Sequence, residues 1–119
     1  MEAKLGIAPI GWTNDDLPEL GGDIPLETCL ADSRAAGYSG MERGGKFPKT
    51  AAKMLEVLGK YDLQLVSGWY SGTVLDNDLD AEKDRAREQI DLFKAVGCVC
   101  IVYGETAGSI QGDLNAPLN

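Results

Sequence analysis

The chain has 119 residues, 44% of them hydrophobic and 25% charged, which is enough apolar material for one globular domain. With 19 acidic against 11 basic side chains it carries a net charge of −8, and nucleic acid is excluded as a natural partner because neutralising phosphates needs a positive face. There is no histidine, so Ser-His and Cys-His pairs are ruled out along with the commonest metal ligand.

The segment from Met1 to Ile7 lacks the basic and then apolar order of a secretion signal, and no apolar run approaches the roughly 20 residues of a membrane helix. A cytoplasmic, membrane-free protein is expected. The cysteines, Cys29, Cys98 and Cys100, are odd in number, and a lone C-x-C lacks the second pair that a zinc site needs. Cys98 and Cys100 share a face if they lie on a strand, and buried reduced thiols are expected.

In chain order, Lys4 to Ile10 is the first strand candidate, ending at Gly11-Trp12. A helix over Leu26 to Ala36 follows, with Leu26, Leu30 and Ser33 on its inner face and Gly37 at its stop. Ser39 to Glu42 is a short second strand. Ala51, Met54, Leu55, Leu58 and Tyr61 then mark an amphipathic helix from Ala51 to Lys60. Gln64 to Trp69 is the third strand. Asp80 is placed to cap a helix over Ala81 to Val96, whose inner stripe is Ala86, Ile90 and Phe93 and whose end is Gly97. Cys98 to Tyr103 is continuously apolar, as in a strand covered on both faces.

The order βαβαβαβ predicts a parallel sheet with right-handed crossovers in a single α/β segment spanning 1–119. Strand ends near Trp12, Glu42, Trp69 and Tyr103 are spaced by 30, 27 and 34 residues, each one βαβ unit. Periodicity leaves two folds open, a doubly wound open sheet and the front half of a (β/α)8 barrel, whose full length is about 250 residues.

Both folds bind ligands at the carboxyl ends of their strands. There stand Gly11 to Asp16, Glu42 to Lys46, Ser67 to Gly72 and Gly104 to Thr106. Indole faces beside carboxylates and a lysine suit a ring-shaped polyol, whose C–H edges stack while its hydroxyls take hydrogen bonds. Simpler roles are available to each. Trp12 and Trp69 can be packing residues, Glu42 and Glu105 can pair with Arg43 or Lys46, and Asp15 and Asp16 can be turn and surface acids. No phosphate loop or dinucleotide fingerprint is present.

The strand-end segments carry a family resemblance. Gly6-Ile7-Ala8-Pro9-Ile10-Gly11-Trp12 with Asn14-Asp15-Asp16 and Pro18-Glu19, Glu42 with Gly44-Gly45 and Phe47-Pro48, Ser67 to Gly72, and Gly104-Glu105-Thr106 with Gln111-Gly112 are similar to the N-terminal half of the myo-inosose-2 dehydratases, xylose-isomerase-like TIM barrels. The resemblance covers the whole chain and favours the barrel. It implies a lyase that removes water from a ketone-bearing cyclohexane polyol, giving a dione, with a divalent metal such as manganese or cobalt. In such barrels the metal ligands come mostly from strands five to eight, so no metal ligand is expected here.

This half is then expected to form one wall of the pocket. Trp12 and Trp69 stack on the ring, Tyr70 contacts the substrate, Glu42, Glu105 and Gln111 take hydroxyls, and Lys46 stands near a developing negative charge. Glu42 is the candidate for acid/base work, with Arg43 pairing to it. The partners expected are a cyclic polyol ketone and either a C-terminal half or a second copy of the chain. A sugar isomerase or epimerase of the same barrel class, and a non-catalytic half-barrel assembly module, are the alternatives.

Overall fold

The structure is a computed structural model and describes residues 3–110, 113 and 115. Four parallel strands, β1 (Gly6–Ile7), β2 (Gly40–Arg43), β3 (Gln64–Gly72) and β4 (Val102–Glu105), alternate with α1 (Leu26–Ala35), α2 (Ala51–Gly59) and α3 (Leu79–Val96). The strands lie side by side in chain order, β1-β2-β3-β4. A doubly wound sheet reverses its order at a switch point, whereas a barrel never does. The helices settle the same question. Cys29 and Leu30 of α1, Met41 of β2, Met54 and Leu58 of α2, Leu65 of β3 and Phe93 of α3 belong to one buried cluster, so all three helices cover one face of the sheet. The fold is a curled half-barrel.

Each helix is shaped by its sequence. Cys29, Leu30 and Ser33 bury the inner face of α1, and the Ser33 hydroxyl donates to the Cys29 carbonyl at 2.6 Å. In α2 the buried set is Met54, Val57 and Leu58, while Leu55 points outward. Leu30, Met41 and Met54 are fully buried, each stabilising the fold by roughly 1.5–3 kcal/mol. At the start of α3 the cap is Asp78 rather than Asp80: its carboxylate accepts from the amides of Asp80 and Ala81, so the helix begins two residues earlier than expected. Gly97 closes α3 with φ 77°, a conformation that a Cβ opposes.

The strands depart most from expectation. β1 is two residues long because Pro9 brings no backbone N–H to the ladder, and Pro9–Gly11 forms a 3-10 turn instead. β4 starts at Val102, so Cys98 and Cys100 precede it; Cys98 is buried but Cys100 is exposed. The apolar run at 98–103 is not covered on both faces, since Val99, Val102 and Tyr103 are exposed.

Candidate functional site

A β-bulge sets the geometry of the site. Met41 pairs with Leu65, but Glu42 pairs with Ser67, so Val66 is an extra residue in β3. An extra residue shifts the alternation of side chains along its strand. Leu65 therefore faces the helices within the buried core, while Trp69, four residues on, faces the opposite, concave side. The bulge also brings the Ser67 hydroxyl to the Glu42 carboxylate, which accepts a 2.7 Å hydrogen bond.

At the carboxyl ends of the strands lies a cavity of about 760 Å³. Its walls come from Ala8 to Ile10 and Thr13 to Asp16 after β1, Glu42 to Gly44, Trp69 and Ser71 of β3, and Thr106 and Ser109 beyond β4. The indole of Trp69 lies over Gly104, where a Cβ would stand 2.1 Å from the ring. Its Nε1 donates to Ser71 Oγ at 2.9 Å, which fixes the plane of the ring. The wall thus offers a carboxylate, an indole face and hydroxyls, the chemistry that a polyol ring requires.

Of the residues expected to contact substrate or do acid/base work, Glu42 and Trp69 line this cavity, while Trp12, Lys46, Tyr70 and Glu105 are engaged elsewhere. Trp12 is half-buried against the core, its Nε1 donating to Asp32 of α1 at 2.9 Å. Lys46 donates to the backbone carbonyls of Gly21, Gly22 and Ile24. Tyr70, one residue past Trp69, faces the helices, and its hydroxyl donates to Glu82 of α3 at 2.9 Å. Glu105 pairs in register with Gly72. It accepts from the Tyr103 hydroxyl at 2.7 Å and from the amides of Val74 and Ala107 at 3.0 Å each. Gln111 lies outside the described residues. The expected ion pairs of Glu42 or Glu105 with Arg43 or Lys46 do not form among the described residues. Arg43 instead leaves a buried Nε without an acceptor.

Thr13, Asn14, Ser71 and Thr106 reach the cavity without a role having been assigned to them from the sequence, and Asp15 and Asp16, read there as turn and surface acids, line it too. Their only signal was position just beyond a strand. Behind the sheet lies a second set of polar groups. Glu82 is buried and accepts from the Tyr70 hydroxyl, the Thr73 amide and hydroxyl, and Arg85. Burial pushes the Glu82 carboxyl up, but these donors outweigh it and hold the group below the ordinary carboxylate range. Glu105 is likewise lowered, burial being overcome by Tyr103 and the neighbouring amides. Burial, and then the carboxylate of Glu82, raise Tyr70; the hydrogen bond to Glu105, with burial behind it, raises Tyr103.

The resemblance implies a divalent metal, yet among the described residues no three His, Cys, Asp or Glu side chains gather where they could hold one. The residues described do not fit that group.

No family model matches the chain. It is 43% identical, over all 119 residues, to the rhizopine catabolism protein MocC of Rhizobium meliloti, of which it covers 37%. It is 44% identical over 115 residues, 97% of its length, to an inosose dehydratase of Mesomycoplasma hyopneumoniae, covering 38% of that protein. Against an inosose dehydratase of Geobacillus thermodenitrificans it is 38% identical over 117 residues, 98% of its length and 39% of the relative's. As the strand-end motifs implied, the chain is a homologue of the inosose dehydratases and of MocC, spanning less than two fifths of the length of these relatives.

Proposed function

We propose that the chain forms one wall of the active site of an inosose dehydratase, a carbon–oxygen lyase acting on 2-keto-myo-inositol in inositol catabolism. The observation that carries this reading is the cavity in which the Glu42 carboxylate and the Trp69 indole face the same space at the carboxyl ends of parallel strands. The relatives named inosose dehydratase support it.

The chemistry follows from the ketone. The carbonyl acidifies the adjacent C–H, and Glu42, steadied by the Ser67 hydroxyl, is placed to take that proton. The electron pair passes into an enolate and then expels the β-hydroxyl, which leaves as water with one proton. Tautomerisation of the resulting enol gives the dione, so substrate equals product plus one water. Trp69 stacks on the C–H face of the ring, and Ser71 and Thr106 on the cavity wall offer hydroxyl oxygens to the ring hydroxyls.

The remaining wall, and any divalent metal ligands, belong to parts of a complete barrel outside this chain. The open inner face fits that reading: Val66, Trp69 and Val102 are exposed there. Three free thiols are what a reducing compartment leaves, and the cytoplasm is the proposed location. Among the described residues no helix is long and apolar enough to cross a membrane.

The test is incubation of 2-keto-myo-inositol with the full-length protein that contains this chain, with products identified by mass spectrometry. A product 18 mass units lighter than substrate is expected, by the loss of one water. A product of unchanged mass would establish the isomerase or epimerase alternative instead.

A further inference from the structure

We propose that Lys46 and Asp15 form a two-point latch that holds the β1–α1 loop in place beside the cavity, Lys46 acting as a positioning residue without touching substrate. This deepens the dehydratase reading and rests on it for its kinetic readout. An ammonium has three protons to donate and no acceptor. The acceptors that surround Lys46 Nζ are the carbonyls of Gly21 at 3.1 Å, Gly22 at 3.0 Å and Ile24. Three protons meet three carbonyls, and none is left for a ligand.

Those carbonyls lie at the far end of the loop that carries Thr13, Asn14 and Asp15 to the cavity wall. Nearer its start, Asp15 Oδ2 accepts from the amide of Gly45 at 2.7 Å. Adjacent residues after β2, Gly45 and Lys46, thus grip the loop at two separated places. Between them the loop closes on itself. The Asn14 amide donates to the Leu20 carbonyl at 3.1 Å, and Asn14 Oδ1 accepts from the amides of Asp16 and Leu17. A loop closed this way moves as a unit, so its two external attachments decide where Thr13 and Asn14 stand.

The experiment uses the full-length protein containing this chain and compares Lys46→Met with Lys46→Arg. Hydrogen exchange at the amides of Asn14, Leu20 and Ile24 reports the loop directly, and KM and kcat for 2-keto-myo-inositol report its consequence. Loss of charge-assisted hydrogen bonds in Lys46→Met is expected to speed exchange about tenfold and raise KM about tenfold, with kcat within about twofold. Lys46→Arg is expected to behave like Lys46→Met, because a planar fork cannot aim three N–H groups at three carbonyls gathered about one point.

Unchanged exchange in Lys46→Met overturns the latch, as does recovery of wild-type exchange and KM in Lys46→Arg. A fall in kcat with unchanged exchange overturns it too, and assigns Lys46 to the reacting atoms. If Lys46→Met fails to fold, Asp15→Ala releases the other attachment and carries the same expectation for exchange. Should the wild-type protein fail to dehydrate inosose, the exchange measurement still decides the latch, and the two failures remain distinct.

Discussion

The Ser67 hydroxyl donates a 2.7 Å hydrogen bond to the Glu42 carboxylate across the β2–β3 ladder, and the two meet because Val66 is bulged out of register between them. The pair supplies a carboxylate held in one orientation at the cavity wall, which is what proton abstraction requires. Glu42→Gln preserves shape and removes the base. Steady-state kinetics of the full-length protein should show kcat reduced by about 10²–10⁴-fold with a much smaller change in KM. Ser67→Ala removes the orienting donor only, and should reduce kcat by roughly tenfold, the worth of a hydrogen bond to a charged group.

The same bulge explains what the sequence showed and what it hid. The βαβ spacing, the core of each helix stripe (Leu30 and Ser33, Met54 and Leu58, Phe93) and the positions of Glu42 and Trp69 toward the carboxyl ends of their strands were legible, because each depends on local periodicity; Leu55, expected inside, is exposed, and the burial of Glu82 was not foreseen. Tyr70 was not separable from Trp69, because a one-residue insertion at Val66 decides which alternating set of β3 faces the cavity, and Glu105 takes its face from its β4 register with Gly72, which no local pattern states. Trp12 and Lys46 sit at the right end of the barrel, but Asp32 and three loop carbonyls claim their polar atoms. Such contacts join residues some 20 or more positions apart, and no local pattern encodes them.

Trp69 is half-exposed at the cavity wall, its ring plane set by Ser71. Trp69→Ala removes the stacking face without touching the carboxylate. KM should rise roughly tenfold, matching about 1.4 kcal/mol of lost ring contact, while kcat at saturation stays near wild type. An unchanged KM in the full-length enzyme would take Trp69 out of the pocket.

The polar groups behind the sheet predict how stability depends on pH. Glu82 and Glu105 have lowered folded-state values, so they stabilise the fold above the unfolded carboxylate value of about 4.3, and that contribution is lost as the pH falls through the folded values. Tyr70 and Tyr103 have raised values, so their contribution is complete below the unfolded value of about 10 and disappears as the pH rises through the folded ones. Urea midpoints measured from pH 3 to 11 should form a plateau with an acid and an alkaline limb. Glu82→Gln should flatten the acid limb. Tyr70→Phe should flatten the alkaline limb and lower stability at neutral pH by about 1 kcal/mol, the net worth of its hydrogen bond.

Gly104 provides a test of the Trp69 wall that leaves Trp69 itself in place. Ser71 and Gly104 are register partners on β3 and β4, and the missing side chain at Gly104 is the space that the indole occupies. A methyl group there would stand 2.1 Å and 2.2 Å from two ring carbons, well inside contact distance, so the ring must swing away and give up its bond to Ser71. The backbone of Gly104 is in an ordinary strand, so Ala meets no conformational penalty of its own. Gly104→Ala should therefore reproduce the KM defect of Trp69→Ala and alter tryptophan fluorescence. Added to Trp69→Ala it should produce little further loss, because both changes act through one ring. Additive KM effects would show that Gly104 serves the site by another route.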